Sequence, residues 1–178
     1  VMERDWDNLI LLDACRYDYF KQYTSFSGDL SRIVSKGNDS WSFMQENFVG
    51  NEFHDTVYVT ANPFSEQLDQ DIFYTVETVL DRWDPSIGTI HPEDVTEVAI
   101  EVSKKYPHKR LLVHYMQPHL PHLGSIAKKY SEEFNIRGFT GPVEEFQELN
   151  GGIKLWELYR RDHISKSELR ESYKQTLQ

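Results

Sequence analysis

The sequence predicts an α/β fold built on a mainly parallel sheet flanked by helices, and three stretches predict it. Each is a short apolar run that passes directly into polar residues: Leu9–Leu12 into Asp13, Thr56–Thr60 into Ala61-Asn62-Pro63, and Leu111–Val113 into His114 and on to His119. Unbroken runs this short suit strands buried in a parallel sheet, whereas a buried helix would span on the order of ten residues. The segments between them carry helical periodicity, so strand and helix alternate as in βαβ units.

The first strand, Leu9-Ile10-Leu11-Leu12, is bounded by Asn8 and Asp13 and delivers a carboxylate to its carboxyl end, where open α/β sheets bind ligands. Ala14–Phe20 suits a helix that starts beside this acid. The free N–H groups and dipole of a helix start favour anions, so a metal held by Asp13 next to a phosphate or sulfate ester fits here, and so does simple capping by Asp13. Arg32-Ile33-Val34-Ser35 is a fourth, weaker strand, closed by the turn Lys36-Gly37-Asn38-Asp39-Ser40. A helix over Trp41–Phe48 follows, capped by Asp39 or Ser40. The clearest helix is Pro92–Ser103, in which Val95, Val98, Ala99 and Val102 recur on one face, acids fill the first turn, and Lys104-Lys105 stand near the end before Pro107. From there to the end the pattern after His122 is helical: Ile126–Phe134, Val143–Leu149, Ile153–Arg160 and Ser165–Leu177, punctuated by Gly138, Gly141 and Gly151-Gly152. The chain reads as a single domain, 1–178, within which 123–178 is a helical segment.

At 178 residues, with 39% hydrophobic and 13% aromatic residues, the chain can bury a real core. A net charge of −10 and a pI near 5.1 exclude an extended nucleic-acid surface, which needs clustered Lys and Arg. The same charge attracts a mobile divalent cation or solvates the surface. Cys15 is the only cysteine, so no internal disulfide forms and a reducing cytosol is compatible. No stretch approaches the ~20 apolar residues of a membrane span. The charged opening Val1-Met2-Glu3-Arg4-Asp5 does not resemble a signal peptide, so a cytoplasmic location is expected.

Beyond Asp13, the turn before Trp41 offers the Ser40 hydroxyl, a nucleophile if a metal or base lowers its pKa, or a mere cap. The third candidate is His114-Tyr115-Met116-Gln117-Pro118-His119-Leu120-Pro121-His122. Its prolines rule out helix and predict a rigid extended loop from which His119 and His122 project, able to bind metal or donate to an anionic ester. Cys15 lacks the Gly-rich anion loop of a cysteine phosphatase and reads as structural, and Asp162-His163 reads as surface. Gly-rich nucleotide loops and paired zinc cysteines are absent.

Several motifs occur together and in order: Trp6-Asp7, Leu12-Asp13-Ala14-Cys15-Arg16-Tyr17-Asp18, Ser35-Lys36-Gly37 before Ser40, Val57-Tyr58-Val59-Thr60-Ala61-Asn62-Pro63, Trp83-Asp84, Gly88-Thr89 with Pro92-Glu93, and Lys109-Arg110 through Pro121. This set resembles the sulfatase-like branch of the alkaline phosphatase superfamily, in particular archaeal proteins with a Leu-Asp-Ala-Cys-Arg-Tyr-Asp signature. The resemblance implies an alkaline-phosphatase-like core and a metal-dependent hydrolase or transferase of sulfate or phosphate esters. In that reading Asp13 is the first metal-binding aspartate, Ser40 falls at the hydroxyl or formylglycine nucleophile, and His119 is the His-x-Pro histidine that faces the ester. His122, Asn62 and Lys36 are the further substrate-binding residues. No Cys-x-Pro-x-Arg or Ser-x-Pro-x-Arg surrounds Cys15 or Ser40, which leaves attack by the Ser40 hydroxyl itself, through a seryl intermediate released by water. The cofactor is a divalent ion: calcium, magnesium, manganese or zinc. The family completes its metal site with a later Asp-His-Gly strand, which this chain does not contain, so the chain is expected to be an N-terminal portion that ends before the C-terminal strands and is inactive alone. Expected partners are a small anionic ester or glycan, with no nucleic acid, and a second copy paired through an exposed sheet edge. The alternative expectation is a noncatalytic protein of this fold that binds anionic glycans or a protein partner.

Overall fold

The computed structural model describes residues 2–134 and 155–178. The helix expected over Val143–Leu149, the start of the one expected over Ile153–Arg160, and the four glycines from Gly138 to Gly152 lie outside the described residues. In chain order the elements are β1 (Asn8–Asp13), α1 (Tyr17–Tyr23), α2 (Ser40–Asn47), β2 (Phe53–Thr60), β3 (Phe73–Thr78), α3 (Pro92–Lys105), β4 (Arg110–Pro118), α4 (Ser125–Phe134), α5 (Leu155–Arg160) and α6 (Lys166–Leu177), with short 3₁₀ turns at Pro63–Gln67 and Leu80–Arg82. They form two compact units.

The first unit takes in Val1–Asp13, Ile33–Arg82 and Ile90–Met116. Its four strands lie in the order β1-β4-β2-β3 and are all parallel, as the sequence predicts. Register is set from Thr56↔Arg110 to Thr60↔His114 between β2 and β4, and from Val57↔Thr75 to Thr60↔Thr78 between β2 and β3. Because strand side chains alternate between faces, this register sorts the residues into two sets. Tyr58 of β2, Leu112 of β4 and Phe73 of β3 share a buried cluster with Met44 and Phe48, and Leu9 and Leu11 of β1 pack against it. This is the α2 side of the sheet. On the other side Val57, Val59, Leu111 and Val113 are buried, and α3 turns Val95, Ala99 and Val102 inward.

Three departures from the sequence reading have physical causes. β1 is an edge strand and not a fully buried one, so its outward-facing Ile10 is 60% exposed. Arg32–Ser35 is not a strand: it is exposed coil with Val34 at 88% exposure, since no neighbour offers it a ladder and β-branched residues alone do not make one. β3 was not expected, because Phe73-Tyr74-Thr75-Val76-Glu77-Thr78 mixes polar and apolar residues as a half-exposed edge strand does. β4 also runs through Pro118, so the extended loop begins only at His119.

The second unit takes in Ala14–Arg32, Trp83–Thr89 and Gln117–Gln178. Tyr130, Leu155, Leu158 and Ile164 form its buried cluster, with Leu120, Ile126, Phe134 and Leu169 packed around them. A reciprocal cap between Ser165 and Glu168 starts α6, and Glu168 also accepts the Tyr130 hydroxyl at 2.8 Å, which ties α4 to α6. Ala14 adopts a left-handed conformation with φ 57°, unusual for a residue with a Cβ. The Tyr173 hydroxyl holds that turn, accepting from the Arg16 N–H at 2.8 Å and donating to the Ala14 carbonyl at 2.9 Å. Among the described residues no strand follows β4, and no helix is long and apolar enough to cross a membrane.

Phe48 is fully buried and meets the rings of Phe43, Phe53, Tyr58 and Phe73 edge-on, at 5.2 to 6.5 Å between centroids. Truncating it would empty the centre of the α2-side core. Phe48→Ala is expected to cost about 3–5 kcal/mol in chemical denaturation; a loss below about 1 kcal/mol would show that this aromatic cluster does not hold the sheet to α2.

Candidate active site

On the α2 side of the sheet the side chains change from apolar to polar toward the carboxyl edge. Asp13 continues the alternation of Leu9 and Leu11, Thr60 that of Tyr58, and His114 that of Leu112. Helix α2 starts at this edge. Its N-cap is Asp39, whose carboxylate accepts the Ser42 N–H at 2.8 Å while the Ser42 hydroxyl accepts the Asp39 N–H at 3.2 Å. Asp39, not Ser40, therefore caps the helix. Ser40 becomes the first helical residue with its hydroxyl released, and Oγ donates to Asp13 Oδ2 at 2.8 Å. Asp13 does not cap α1 either, since the residue in that position is Arg16.

Asn62 is the second group on Asp13. It is fully buried, its Nδ2 donates to the same Oδ2 at 3.3 Å, and its Oδ1 accepts the Phe64 N–H at 3.0 Å. An amide can satisfy both neighbours in only one orientation, oxygen to the N–H and nitrogen to the carboxylate. Its backbone is held as firmly: the Asn62 N–H donates to Thr60 Oγ1 at 3.0 Å, and its carbonyl accepts the Ser65 hydroxyl at 2.7 Å. Deeper still, the Tyr58 hydroxyl and His114 Nδ1 are 2.8 Å apart, both side chains enclosed. Burial pulls the His114 imidazole down to about 4, against the opposing pull of the Asp13 charge. Burial likewise pushes the Tyr58 phenol well up.

The expected site residues thus divide by unit. Asp13, Ser40 and Asn62 come together in the first, from residues 27 and 49 positions apart. Lys36 is exposed in the turn that precedes Ser40. His119 and His122 lie in the second unit. His119 Nδ1 donates to the Leu120 carbonyl at 2.6 Å, and His122 Nδ1 faces the buried Ser172 hydroxyl at 3.1 Å. Burial brings His122 down to about 4, and neighbouring His119 adds to the shift. Cys15 is half-buried, which raises its thiol pKa and suits the structural role read from the sequence. Sequence reasoning took His114 only as part of a histidine-rich segment and passed over Tyr58; the signal was a histidine and a tyrosine at alternating positions of buried strands.

As a metal centre the cluster is incomplete. It offers hard oxygen donors, one carboxylate and one hydroxyl, while Asn62 turns its N–H₂ and not its oxygen toward them. Zinc usually takes at least three protein ligands and calcium about six to eight oxygens. Among the described residues no group of three or more His, Cys, Asp or Glu side chains could hold a metal ion. What the arrangement can do by itself is orient a serine hydroxyl on a carboxylate whose position is fixed by a buried amide. No family model, no curated protein and no solved structure matches the chain.

Two outcomes follow from this geometry. A Cβ on Gly37 would stand 2.2 Å from the Phe43 backbone nitrogen, so the turn reaches α2 only because this residue has no side chain. Gly37→Ala is expected to cost about 1–3 kcal/mol and to perturb Ser40, read by denaturation and by the amide shifts of Asp39–Phe43; unchanged stability and shifts would show the turn free of α2. His114 and His122 bind protons more weakly folded than unfolded, so the stability they leave intact is complete above about 6.5 and is lost as pH falls toward 4. The urea midpoint should therefore drop between pH 7 and pH 5, above the range in which carboxylates protonate, and a flat profile there would contradict the burial of both rings.

Proposed function

We propose that this chain carries the nucleophile of a sulfatase-like ester hydrolase or transferase, related to the sulfatase-like branch of the alkaline phosphatase superfamily and acting on small sulfate or phosphate esters, including those of glycans. The observation that supports this most is the 2.8 Å bond from Ser40 Oγ to Asp13 Oδ2, between a hydroxyl released from capping and a carboxylate at the carboxyl edge of a parallel sheet. That edge is where open α/β sheets take their ligands.

In the proposed reaction Ser40 Oγ attacks the phosphorus or sulfur, and its proton passes to Asp13 Oδ2. The new Oγ bond forms as the bond to the ester oxygen breaks, the departing alkoxide takes a proton from water, and the hydroxide so formed takes the proton from Asp13 and restores its carboxylate. A water molecule then attacks the seryl ester, releases phosphate or sulfate, and restores the hydroxyl. Asn62 keeps the carboxylate aimed at Oγ throughout, since its own amide has no second orientation. By the family resemblance His119 faces the ester, and His122, Asn62 and Lys36 bind substrate. A divalent cation is expected from the same resemblance; Asp13 is the residue that would hold it, and such an ion would lower the pKa of a bound hydroxyl and neutralise ester oxygens. A cytoplasmic location belongs to the same proposal.

The test is a panel of chromogenic sulfate and phosphate esters with calcium, magnesium, manganese or zinc, followed by mass spectrometry of Ser40. Wild type should give a phosphoryl or sulfuryl adduct on Ser40, and Ser40→Ala should lose adduct and turnover by about 10³-fold or more. Equal turnover in both proteins would overturn Ser40 as the nucleophile, and no adduct and no turnover with any cation would favour the alternative, a noncatalytic binder of anionic glycans or a protein.

A further inference from the structure

Tyr173 of α6 holds the turn that follows β1 through two bonds whose direction is unambiguous. An N–H can only donate and a carbonyl can only accept, so the phenol takes the Arg16 N–H at 2.8 Å and gives its own proton to the Ala14 carbonyl at 2.9 Å. Burial pushes the phenol up to about 12, and that proton stays in place at neutral pH. The ring is held on two sides: Tyr19 of α1 meets it edge-on at 4.9 Å between centroids, and His122 at 5.6 Å. What the hydroxyl grips is strained. Ala14 has φ 57°, where its Cβ crowds the following carbonyl oxygen, and it lacks the polar side chain with which Asn or Asp bonds locally in this conformation. A glycine would reach the same torsion unaided.

We propose that Tyr173 is a positioning residue for Asp13, acting through the Ala14 torsion. The inference rests on the proposed role of Ser40 and Asp13. Ala14 directly follows Asp13 in the chain, and peptide units are planar, so the torsions at Ala14 set the angle between the peptide that leaves Asp13 and the next one. Tyr173 fixes the far side of that angle, at the Ala14 carbonyl and the Arg16 N–H. Without the hydroxyl Ala14 relaxes toward negative φ, and the peptide that joins it to Asp13 turns with it. The carboxylate depends on its placement, since Ser40 Oγ and Asn62 Nδ2 both donate to Oδ2, at 2.8 and 3.3 Å. Ser172, beside Tyr173 in α6, is buried and faces His122 Nδ1 at 3.1 Å. Adjacent residues of one helix thus hold the exit from Asp13 and a histidine that the family resemblance assigns to the substrate.

Two variants of the whole chain separate this role from plain packing: Tyr173→Phe, which keeps the ring and removes the hydroxyl, and the same change combined with Ala14→Gly. Three readouts are compared with wild type. The backbone ¹³C shifts of Ala14 report its torsion, and the side-chain ¹H–¹⁵N signals of Asn62 sense the carboxylate they donate to. A fluorophosphonate probe, which loses fluoride as Ser40 Oγ bonds to its phosphorus, reports on the serine. Tyr173→Phe should move Ala14 out of the left-handed range, displace the Asn62 signals and slow labelling about 3- to 10-fold, the factor that the net energy of one hydrogen bond allows. The double variant should return the Asn62 signals and recover most of the labelling rate, a rescue that lost packing would not show. Left-handed shifts at Ala14 in Tyr173→Phe would overturn the hold on the turn. Unmoved Asn62 signals, labelling of Tyr173→Phe at the wild-type rate, or a double variant no better than Tyr173→Phe would each overturn the positioning role. Absence of labelling in wild type would overturn the ester reading, and the Asn62 signals would still decide whether Tyr173 positions Asp13.

Discussion

A buried amide must have partners on both sides, and at Asn62 that requirement ties together stretches of chain far apart in sequence. Its oxygen starts the turn at Pro63, its nitrogen reaches back to the end of β1, and its own N–H closes on Thr60 at the end of β2. Leaving any of these groups bare inside the protein would cost about 1–3 kcal/mol. The carboxyl ends of β1 and β2 are therefore coupled, and the carboxylate at the first of them is not free to wander. Ser40 then needs only a released hydroxyl to find it, and the Asp39 cap supplies that condition.

Much of this was legible, and the limits follow from what a linear pattern can carry. Strands leading into Asp13, Asn62 and His114 were marked by apolar runs that stop at polar residues, because a parallel sheet is dry along its length and wet at its carboxyl edge. Helix α3 announced itself through its valine stripe, and it extends only to Lys105 because the chain must turn before Pro107. β3 stayed hidden for the opposite reason: an edge strand with a wet side carries the composition of a loop. Arg32–Ser35 shows the converse error, since Ile33 and Val34 have the residue type of a strand without a neighbour to pair with.

The site was legible as a set of residue types and not as a set of contacts. Asp39 and Ser40 were equal candidates for the cap, and local sequence cannot separate two adjacent residues that both suit the role. The reciprocal bond with Ser42 decides it, and that bond depends on the chain angle at which the turn enters α2, which Gly37 permits by its lack of a side chain. Tyr58 was invisible as a functional residue because a buried tyrosine is ordinarily core. Its hydroxyl acquires meaning only through the parallel register, which sets Leu112 opposite Tyr58 and so places His114 two residues further on the same face.

Charge gives the cluster its asymmetry. The chain is strongly acidic, yet the carboxylate in this cluster is surrounded by neutral donors: a hydroxyl, an amide and, behind them, a phenol paired with an imidazole that burial keeps uncharged. Dipoles that are held in place before a reaction need not reorganise during it, and this is the usual source of electrostatic catalysis. The same arrangement has a cost, because an anionic ester approaching Asp13 meets a negative charge with no compensating cation in the cluster. Either a divalent ion or cationic groups such as Lys36 must offset that repulsion for ester chemistry to proceed. The polar donors therefore account for the orientation of Ser40, while neutralisation of the substrate is a separate demand that the cluster alone does not meet.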